Sequence, residues 1–247
     1  METTSVWVVF VAASITAIFT GLGALPFLFV KNINKQWLGY GNALAAGLML
    51  GASIGLVVEG IQFDIVKLLI GMGLGLALVV FSHRLLEDRN SDFHIGSVNG
   101  ADAIQMLLIV GVMTVHSFAE GIGVGVSYGD GNSFGSLISA AIAIHNIPEG
   151  LAISLVLIPK GTSVWKAAGW SIFSSVPQPI MAIPAFLFVL VFRPFLPVGL
   201  GLAAGAMFWM VFHEMLPEAL DELPRYQVYP TVGVAIIGML AFQLLLS

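Results

Sequence analysis

The residues best suited to chemistry in this chain form one short phrase, His-x-x-x-Glu-Gly, that occurs twice. The first copy, HSFAEG, begins at His116 and includes Glu120; the second, HNIPEG, begins at His145 and includes Glu149. A histidine and a glutamate four residues apart lie on one face of a helix, one turn from each other. Imidazole nitrogens and carboxylate oxygens are common ligands of divalent metal ions, so the repeat predicts a metal site.

The composition shows whether such a site lies in a soluble protein or in a membrane protein. The chain has 247 residues, is 58% hydrophobic and 9% charged, and has a mean hydropathy of +0.98. Soluble proteins carry roughly 25% charged residues, so this chain requires a lipid bilayer. Its net charge of -5 rests on few groups and gives no reason to expect nucleic acid as a partner. The absence of cysteine excludes disulfides and thiolate ligands, which leaves nitrogen and oxygen for a metal.

Eight apolar runs are long enough to cross a bilayer, since a transmembrane helix needs about 20 residues. The predicted helices cover residues 5–30, 38–60, 64–83, 103–128, 134–157, 165–191, 195–220 and 228–246. The boundary near Gln62 is the least defined, and the longest connection is the polar loop 84–102. No segment has the composition of a separate soluble domain. The sequence therefore predicts one polytopic all-α membrane domain over residues 1–247.

The basic residues predict the orientation of these helices. With the N-terminus outside, seven of the nine basic residues lie on the inner side and two on the outer side. The inner set is Lys31, Lys35, Arg84, Arg89, Lys160, Lys166 and Arg225, and the outer set is Lys67 and Arg193. Lysine and arginine concentrate in cytoplasmic loops. Both termini are therefore predicted to face outward, with the loop 84–102 in the cytoplasm.

The two copies of the phrase fall at the same predicted depth. His116 is fourteenth of 26 residues in its segment and His145 is twelfth of 24, so both lie near the bilayer midplane. A short turn joins the two segments, which makes them antiparallel neighbours. The alternative is that each histidine only hydrogen-bonds its own glutamate. A buried acidic group costs about 2.5–3.5 kcal/mol at a helix centre, and two copies at one depth favour a site for Zn²⁺, or for Fe²⁺, Mn²⁺, Co²⁺ or Ni²⁺.

Prolines are expected to interrupt the central helices. Pro148 lies between the second histidine and its glutamate, and Pro177 and Pro179 flank Gln178 in the middle of the sixth segment. Proline cannot donate a backbone hydrogen bond, so a carbonyl one turn earlier becomes available to face a cavity or an ion. Gln178 itself fits two roles, an interhelical hydrogen bond or a position on the ion path.

A second polar group lies at the end of the seventh segment. His213, Glu214 and Glu218 are predicted to lie toward the cytoplasmic end of that helix. This group fits two interpretations equally, an exit for ions that leave the midplane or a solvated helix end. His83 and His94, beside or within the inner loop, are interpreted as solvated.

Together, eight spans, outward termini and HNIPEG in a central helix resemble the ZIP metal-transporter family, above all its GufA-type branch. The resemblance extends over nearly the whole chain. It implies uptake of Zn²⁺ and similar ions into the cytosol, a 3+2+3 helix arrangement, a transport domain that slides against a scaffold, and a possible homodimer in the cell (inner) membrane. The family's primary metal site would then comprise His116, Glu120, His145 and Glu149.

The chain departs from the family at a second, adjacent metal position. The matching residues here are Ser117, Asn146 and Gln178, all of them neutral. We therefore expect one strong metal position, with the second weak or absent, although Glu120 and Glu149 could still bridge two ions. His213 and Glu214 match the family's inner exit site.

Two other classes of protein use similar ligands. An intramembrane zinc hydrolase would activate water on the same metal, but a protease of that kind needs H-E-x-x-H on one helix, and Pro217 occupies the last position after His213-Glu214. A metal-stabilised structural or receptor protein would also accept a site with four ligands. Proline-interrupted helices favour movement of the ion. The prediction is a non-enzymatic transporter with Zn²⁺ or a similar ion as its substrate and no cofactor.

Overall fold

A computed structural model of the chain describes residues 4–29, 34–87, 94–95, 98–99, 101–129 and 131–246. Its helices are α1 (Val6–Leu22), α2 (Lys35–Phe63), α3 (Ile65–Glu87), α4 (Ala101–Gly129), α5 (Asn132–Leu157), α6 (Val164–Ser174), α7 (Pro177–Leu187), α8 (Val189–Phe192), α9 (Leu196–Met210), α10 (Leu216–Glu222) and α11 (Arg225–Leu246). Strands β1 (His94–Ile95) and β2 (Val98–Asn99) form a short antiparallel pair. Lys31 and Arg89, two of the predicted inner basic residues, lie outside the described residues, as does most of the loop between α3 and α4.

Polar side chains mark where the first three helices begin. The side chain of Ser5 accepts a hydrogen bond from the backbone N–H of Trp7, and the side chain of Asn34 accepts one from Trp37. Asp64 separates α2 from α3, and its Oδ1 accepts from the backbone N–H of Lys67 at 3.1 Å and of Val66 at 3.0 Å. These bonds satisfy amides that a helix start leaves unpaired. The hydrogen bond from the Lys67 backbone lowers the pKa of Asp64 below its usual value.

The predicted sixth span is divided into α6 and α7. Its prolines explain the division, because Pro177 and Pro179 cannot donate to the carbonyls of Phe173 and Ser175. Those carbonyls accept instead from residues one position earlier, Val176 at 3.2 Å and Gln178 at 3.0 Å. The resulting tight turn places Gln178 in the first turn of α7.

The fifth predicted span does not contain the break that was expected at its proline. Helix α5 runs without a break from Asn132 to Leu157, with Pro148 inside it. The interruption expected at Pro148 is therefore wrong, and of the two proline sites only the one in the sixth span divides a helix. Proline removes a single backbone bond, and the packing of α5 against its neighbours is sufficient to hold the helix.

Seven helical stretches in the described part of the chain are long and apolar enough to cross a membrane. They are Val6–Leu28, Lys35–Phe63, Ile65–Arg84, Gln105–Gly129, Asn132–Leu157, Val189–Glu222 and Arg225–Leu245. The divided sixth segment is not among them because α6 and α7 have 11 residues each. Large apolar side chains such as Trp7, Leu190 and Leu245 are exposed, whereas Asn42, His116 and Gln178 are fully buried. This inverted distribution is what lipid requires, and the predicted all-α membrane class is confirmed.

Four helices, α1, α4, α5 and α7, surround the centre of the protein. Both α1 and α4 pack against α5 and α7, while α3 packs against α9 and α2 against α9 and α11. The backbones of α1 and α5 touch at two glycines: a Cβ on Gly150 would lie 1.6 Å from the carbonyl oxygen of Thr20, and one on Gly23 would lie 2.1 Å from the nitrogen of Leu151. The turn between α4 and α5 contains Gly131, whose φ of 123° favours glycine. Close approach by small residues is typical of helices in lipid.

Candidate metal centre

The two copies of the repeated phrase meet in the interior of the protein. Helix α4 carries His116 and Glu120, and the neighbouring helix α5 carries His145 and Glu149. One possible ligand atom from each of the four residues lies within 4.8 Å of all the others. All four side chains are buried, with at most 8% of any residue exposed. The helical spacing explains each pair, and the packing of α4 on α5 brings the pairs together.

Glu149 lies at the centre of this group. Its Oε1 is 2.8 Å from Nε2 of His116 and 3.1 Å from Nε2 of His145. Glu120 is less close, with Oε1 at 3.5 Å from Nε2 of His116. The two imidazole rings are nearly parallel, inclined by 14° with centroids 5.7 Å apart.

The short distances in this cluster join histidine nitrogens to carboxylate oxygens, the arrangement of an ion pair when a histidine is protonated. Among the described residues, no hydrogen-bond partner is found for Nε2 of His116, Nε2 of His145 or either carboxylate oxygen of Glu149. A buried polar atom without a partner costs about 1–3 kcal/mol, and several such atoms at one point need an explanation. A divalent cation between them would use their lone pairs together. The alternative, in which each histidine only hydrogen-bonds its own glutamate, leaves the 2.8 Å contact between His116 and Glu149, which belong to different copies, without an explanation.

The three neutral residues of the second position are buried beside the cluster, but they differ in their hydrogen bonds. The amide nitrogen of Gln178 donates to Oε2 of Glu120 at 2.5 Å. The amide oxygen of Gln178 accepts from the hydroxyl of Thr16 at 2.5 Å and from Nδ2 of Asn146 at 3.2 Å. Ser117 is buried, and its hydroxyl has no hydrogen-bond partner among the described residues.

Thr16 is a member of this group that the sequence reasoning missed. It lies on α1, is fully buried, and also accepts a hydrogen bond at its backbone carbonyl from Nδ2 of Asn146 at 2.8 Å. The available signal was a pair of threonines, Thr16 and Thr20, spaced one helical turn apart in a largely apolar segment.

The polar residues at the end of the seventh segment form a second, less buried group. Nε2 of Gln105 donates to Glu214 at 3.0 Å and to Glu218 at 2.5 Å, and Lys160 donates to the amide oxygen of Gln105. Asn42 donates to Glu218 at 3.1 Å. Glu214 and Glu218 are thus joined through one glutamine. Gln105, Lys160 and Asn42 were not predicted, although Gln105 and Asn42 stand out as polar residues in apolar runs.

The two histidines near this group differ in exposure and contacts. His213 is exposed, and its ring stacks on Trp209 with centroids 4.8 Å apart, while its Nδ1 lies 3.2 Å from the carbonyl of the same tryptophan. His83, interpreted as solvated, is only partly exposed and places Nε2 at 4.0 Å from Oε1 of Glu214. A cavity of about 470 Å³ adjoins them, lined by Val80, His83, Arg84, Trp209, His213 and Glu214. The side chain of His94 lies outside the described residues.

Comparison with known proteins identifies the architecture that carries these groups. Residues 82–245 match the family described as ZIP Zinc transporter, a stretch that covers both copies of the repeated phrase. The chain belongs to the ZIP family. It is a multi-pass membrane protein of a transporter family and not an enzyme, which removes the hydrolase alternative.

Individual relatives agree with this assignment. A putative zinc transporter of Arabidopsis thaliana is 43% identical over 228 residues, which are 92% of this chain and 37% of that protein. The zinc transporter GufA of Myxococcus xanthus is 31% identical over 222 residues, 85% of this chain and 87% of GufA. The zinc transporter ZIPB of Bordetella bronchiseptica is 30% identical over 230 residues, 87% of this chain and 73% of ZIPB. The chain thus spans little more than a third of the plant relative and most of GufA. The predicted resemblance to the GufA-type branch is confirmed.

Proposed function

We propose that this ZIP protein moves Zn²⁺ across a membrane toward the cytosol, with His116, Glu120, His145 and Glu149 as the ligands of the ion in transit. The observation that carries the proposal is the convergence of ligand atoms from these four buried side chains within 4.8 Å, several of them without a hydrogen-bond partner in the described part of the chain. Two imidazoles and two carboxylates suit Zn²⁺, and they accept Fe²⁺, Mn²⁺, Co²⁺ and Ni²⁺ as well.

The chemistry of transport follows from these ligands. A hydrated cation exchanges its water for two nitrogens and two carboxylates, whose negative charges neutralise the dication in the low-dielectric interior. Histidine and glutamate must be deprotonated to bind, so uptake decreases as the pH falls. A cytoplasmic negative potential favours inward movement by about 2.3 kcal/mol per charge for each 100 mV.

Release of the ion requires a path to the cytoplasmic side. We assign this path to the inner group that contains Glu214 and Glu218, with His213 at its exposed edge. Glu214 and Glu218 both accept from the amide of Gln105, which brings the two carboxylates together at one point. In this proposal the whole chain is one polytopic domain of the cell (inner) membrane with a 3+2+3 arrangement of helices.

Uptake into proteoliposomes tests the site assignment. The variant with both His145→Ala and Glu149→Ala removes one ligand pair and is expected to reduce ⁶⁵Zn²⁺ uptake to the level of protein-free vesicles. Ser139→Ala is a matched control, because Ser139 is buried on the same helix and its hydroxyl bonds only within α5, to the carbonyl of Gly135. Undiminished uptake in the double variant, at equal protein incorporation, would contradict the assignment. Competition by Fe²⁺, Mn²⁺, Co²⁺ and Ni²⁺ in the same assay defines the range of substrates.

A further inference from the structure

A continuous set of hydrogen bonds connects the first helix to the metal ligand Glu120. Thr16 on α1 contacts both Asn146 on α5 and Gln178 on α7, and Gln178 contacts Glu120 on α4. Thr16, Asn146 and Gln178 are fully buried, so water does not compete for these bonds. The set joins all four helices around the centre.

Two groups in this set, a backbone carbonyl and a carboxylate, can only accept hydrogen bonds. They determine which atom donates in each of the other bonds. The backbone carbonyl of Thr16 accepts from Asn146, so the amide nitrogen of Asn146 must point toward Thr16 and Gln178. The carboxylate of Glu120, when ionised as a metal ligand, also only accepts, so Gln178 must present its N–H to Glu120. The amide oxygen of Gln178 is then left for the Asn146 N–H and for the Thr16 hydroxyl, whose single proton is shared with the carbonyl of Ala13, 2.7 Å from the hydroxyl oxygen.

The consequence for Glu120 is that its two oxygens are no longer equivalent. Oε2 is held by Gln178 at 2.5 Å, whereas Oε1 faces His116 at 3.5 Å. We propose that Thr16, acting through Asn146 and Gln178, is a positioning residue that holds Glu120 as a one-oxygen ligand and keeps the metal centre mononuclear. This inference rests on the proposed transport function at the same site.

The same bonds remove the ligands that a second ion would need. A second cation beside Glu120 requires Oε2, which is bound to an N–H, and the amide oxygen of Gln178, which already accepts two hydrogen bonds. The N–H groups of Asn146 and Gln178 carry partial positive charge and repel a cation. At the second position itself, the oxygens without partners among the described residues are Ser117 Oγ and Asn146 Oδ1, which are neutral, while the Glu149 carboxylate is placed between the two histidines of the first position. Two neutral oxygens are a poor site for a divalent ion in a low-dielectric interior.

Two substitutions on one helix separate positioning from general stability. Thr16→Val keeps the shape of the side chain and removes the hydroxyl. Thr20→Val is the matched control, since Thr20 is also fully buried on α1 and bonds to Ser175 at 2.7 Å without touching Gln178. Partners that orient metal ligands typically contribute about 10- to 100-fold in affinity, so we expect at least about tenfold weaker Zn²⁺ binding for Thr16→Val. Thr20→Val should bind as the wild type does.

The measurements use purified full-length protein in lipid nanodiscs. Equilibrium dialysis with elemental analysis gives the Zn²⁺ affinity and stoichiometry, and the visible spectrum of bound Co²⁺ reports the number and type of ligands. We expect one ion per chain in the wild type, an altered Co²⁺ spectrum in Thr16→Val, and recovery of most of the affinity in Thr16→Ser. Gln178→Glu supplies a carboxylate beside Glu120 and is expected to raise the stoichiometry to two ions.

The outcomes distinguish this inference from the function on which it rests. Failure of the wild type to bind metal would overturn the proposed function, and the inference with it. A wild type that binds two ions, or a Thr16→Val variant with the affinity and Co²⁺ spectrum of Thr20→Val, would overturn only the positioning role. If Thr16→Val does not fold, the Gln178→Glu stoichiometry decides: two ions support the inference, and one ion contradicts it.

Discussion

Among individual residues, Glu149 differs from the other three members of the metal centre because it contacts both histidines. One of its oxygens lies within 3.1 Å of both Nε2 atoms, and neither oxygen has a hydrogen-bond partner among the described residues. Glu120 contacts one histidine at 3.5 Å and is held by Gln178. The two glutamates of the repeated phrase are therefore equivalent in sequence and unequal in the structure.

This inequality predicts an order of effects on metal affinity. We expect Glu149→Gln to weaken Zn²⁺ binding by about tenfold more than Glu120→Gln, a difference equivalent to about 1.4 kcal/mol. The reason is that Glu149 places one oxygen 2.8 Å and 3.1 Å from the two histidine Nε2 atoms, whereas Glu120 lies 3.5 Å from one of them. Titration of each purified variant with Zn²⁺ measures the difference. Equal losses, or a larger loss for Glu120→Gln, would contradict it.

At the scale of helices, the sequence predicted what depends on local spacing and missed what depends on packing. A four-residue interval puts His116 and Glu120 on one helix face wherever the helix lies, so the pairs could be found without a structure. Paired prolines around Gln178 likewise indicated a break, whereas Pro148 did not produce one. Thr16 and Gln178 are 162 residues apart, and their contact depends on the rotation of α1 and α7 about their axes, which no local pattern encodes.

The contact of α1 with α5 gives a prediction at this scale. In Gly150→Ala the new methyl group would lie 1.6 Å from the carbonyl oxygen of Thr20, so the two helices must separate. Overpacking of this kind costs about 1–3 kcal/mol, and it displaces Glu149 and Thr16, which lie beside the contact. We expect a lower thermal midpoint in detergent and reduced ⁶⁵Zn²⁺ uptake.

Gly123→Ala on α4 is the matched control for this contact. A Cβ at that position meets no atom within 4 Å in the described part of the chain, and alanine favours a helix more than glycine does. Its midpoint should equal or exceed that of the wild type. Equal midpoints for Gly150→Ala and Gly123→Ala in size-exclusion thermal assays would show that α1 and α5 are not in close contact.

In the molecule as a whole, the distribution of polar and apolar side chains is the reverse of that in a soluble protein. Apolar side chains face outward and the ionisable cluster lies between α4 and α5, so the exterior suits lipid and the interior suits an ion. Which end of this body faces the cytoplasm is a prediction from the distribution of lysine and arginine. That orientation decides whether Glu214 and Glu218 lie on the exit side of the site.

Because the chain contains no cysteine, single cysteines can test this orientation directly. Gln62 is exposed in the last turn of α2, at a predicted outer turn, and Ser163 is exposed between α5 and α6, at a predicted inner turn. In intact spheroplasts, a membrane-impermeant maleimide should label Gln62→Cys, and it should label Ser163→Cys only after permeabilisation. The cysteine-free protein supplies the background. The reverse pattern would place both termini in the cytoplasm and Glu214 on the outer side, and the inner group would then receive ions before the metal centre rather than release them.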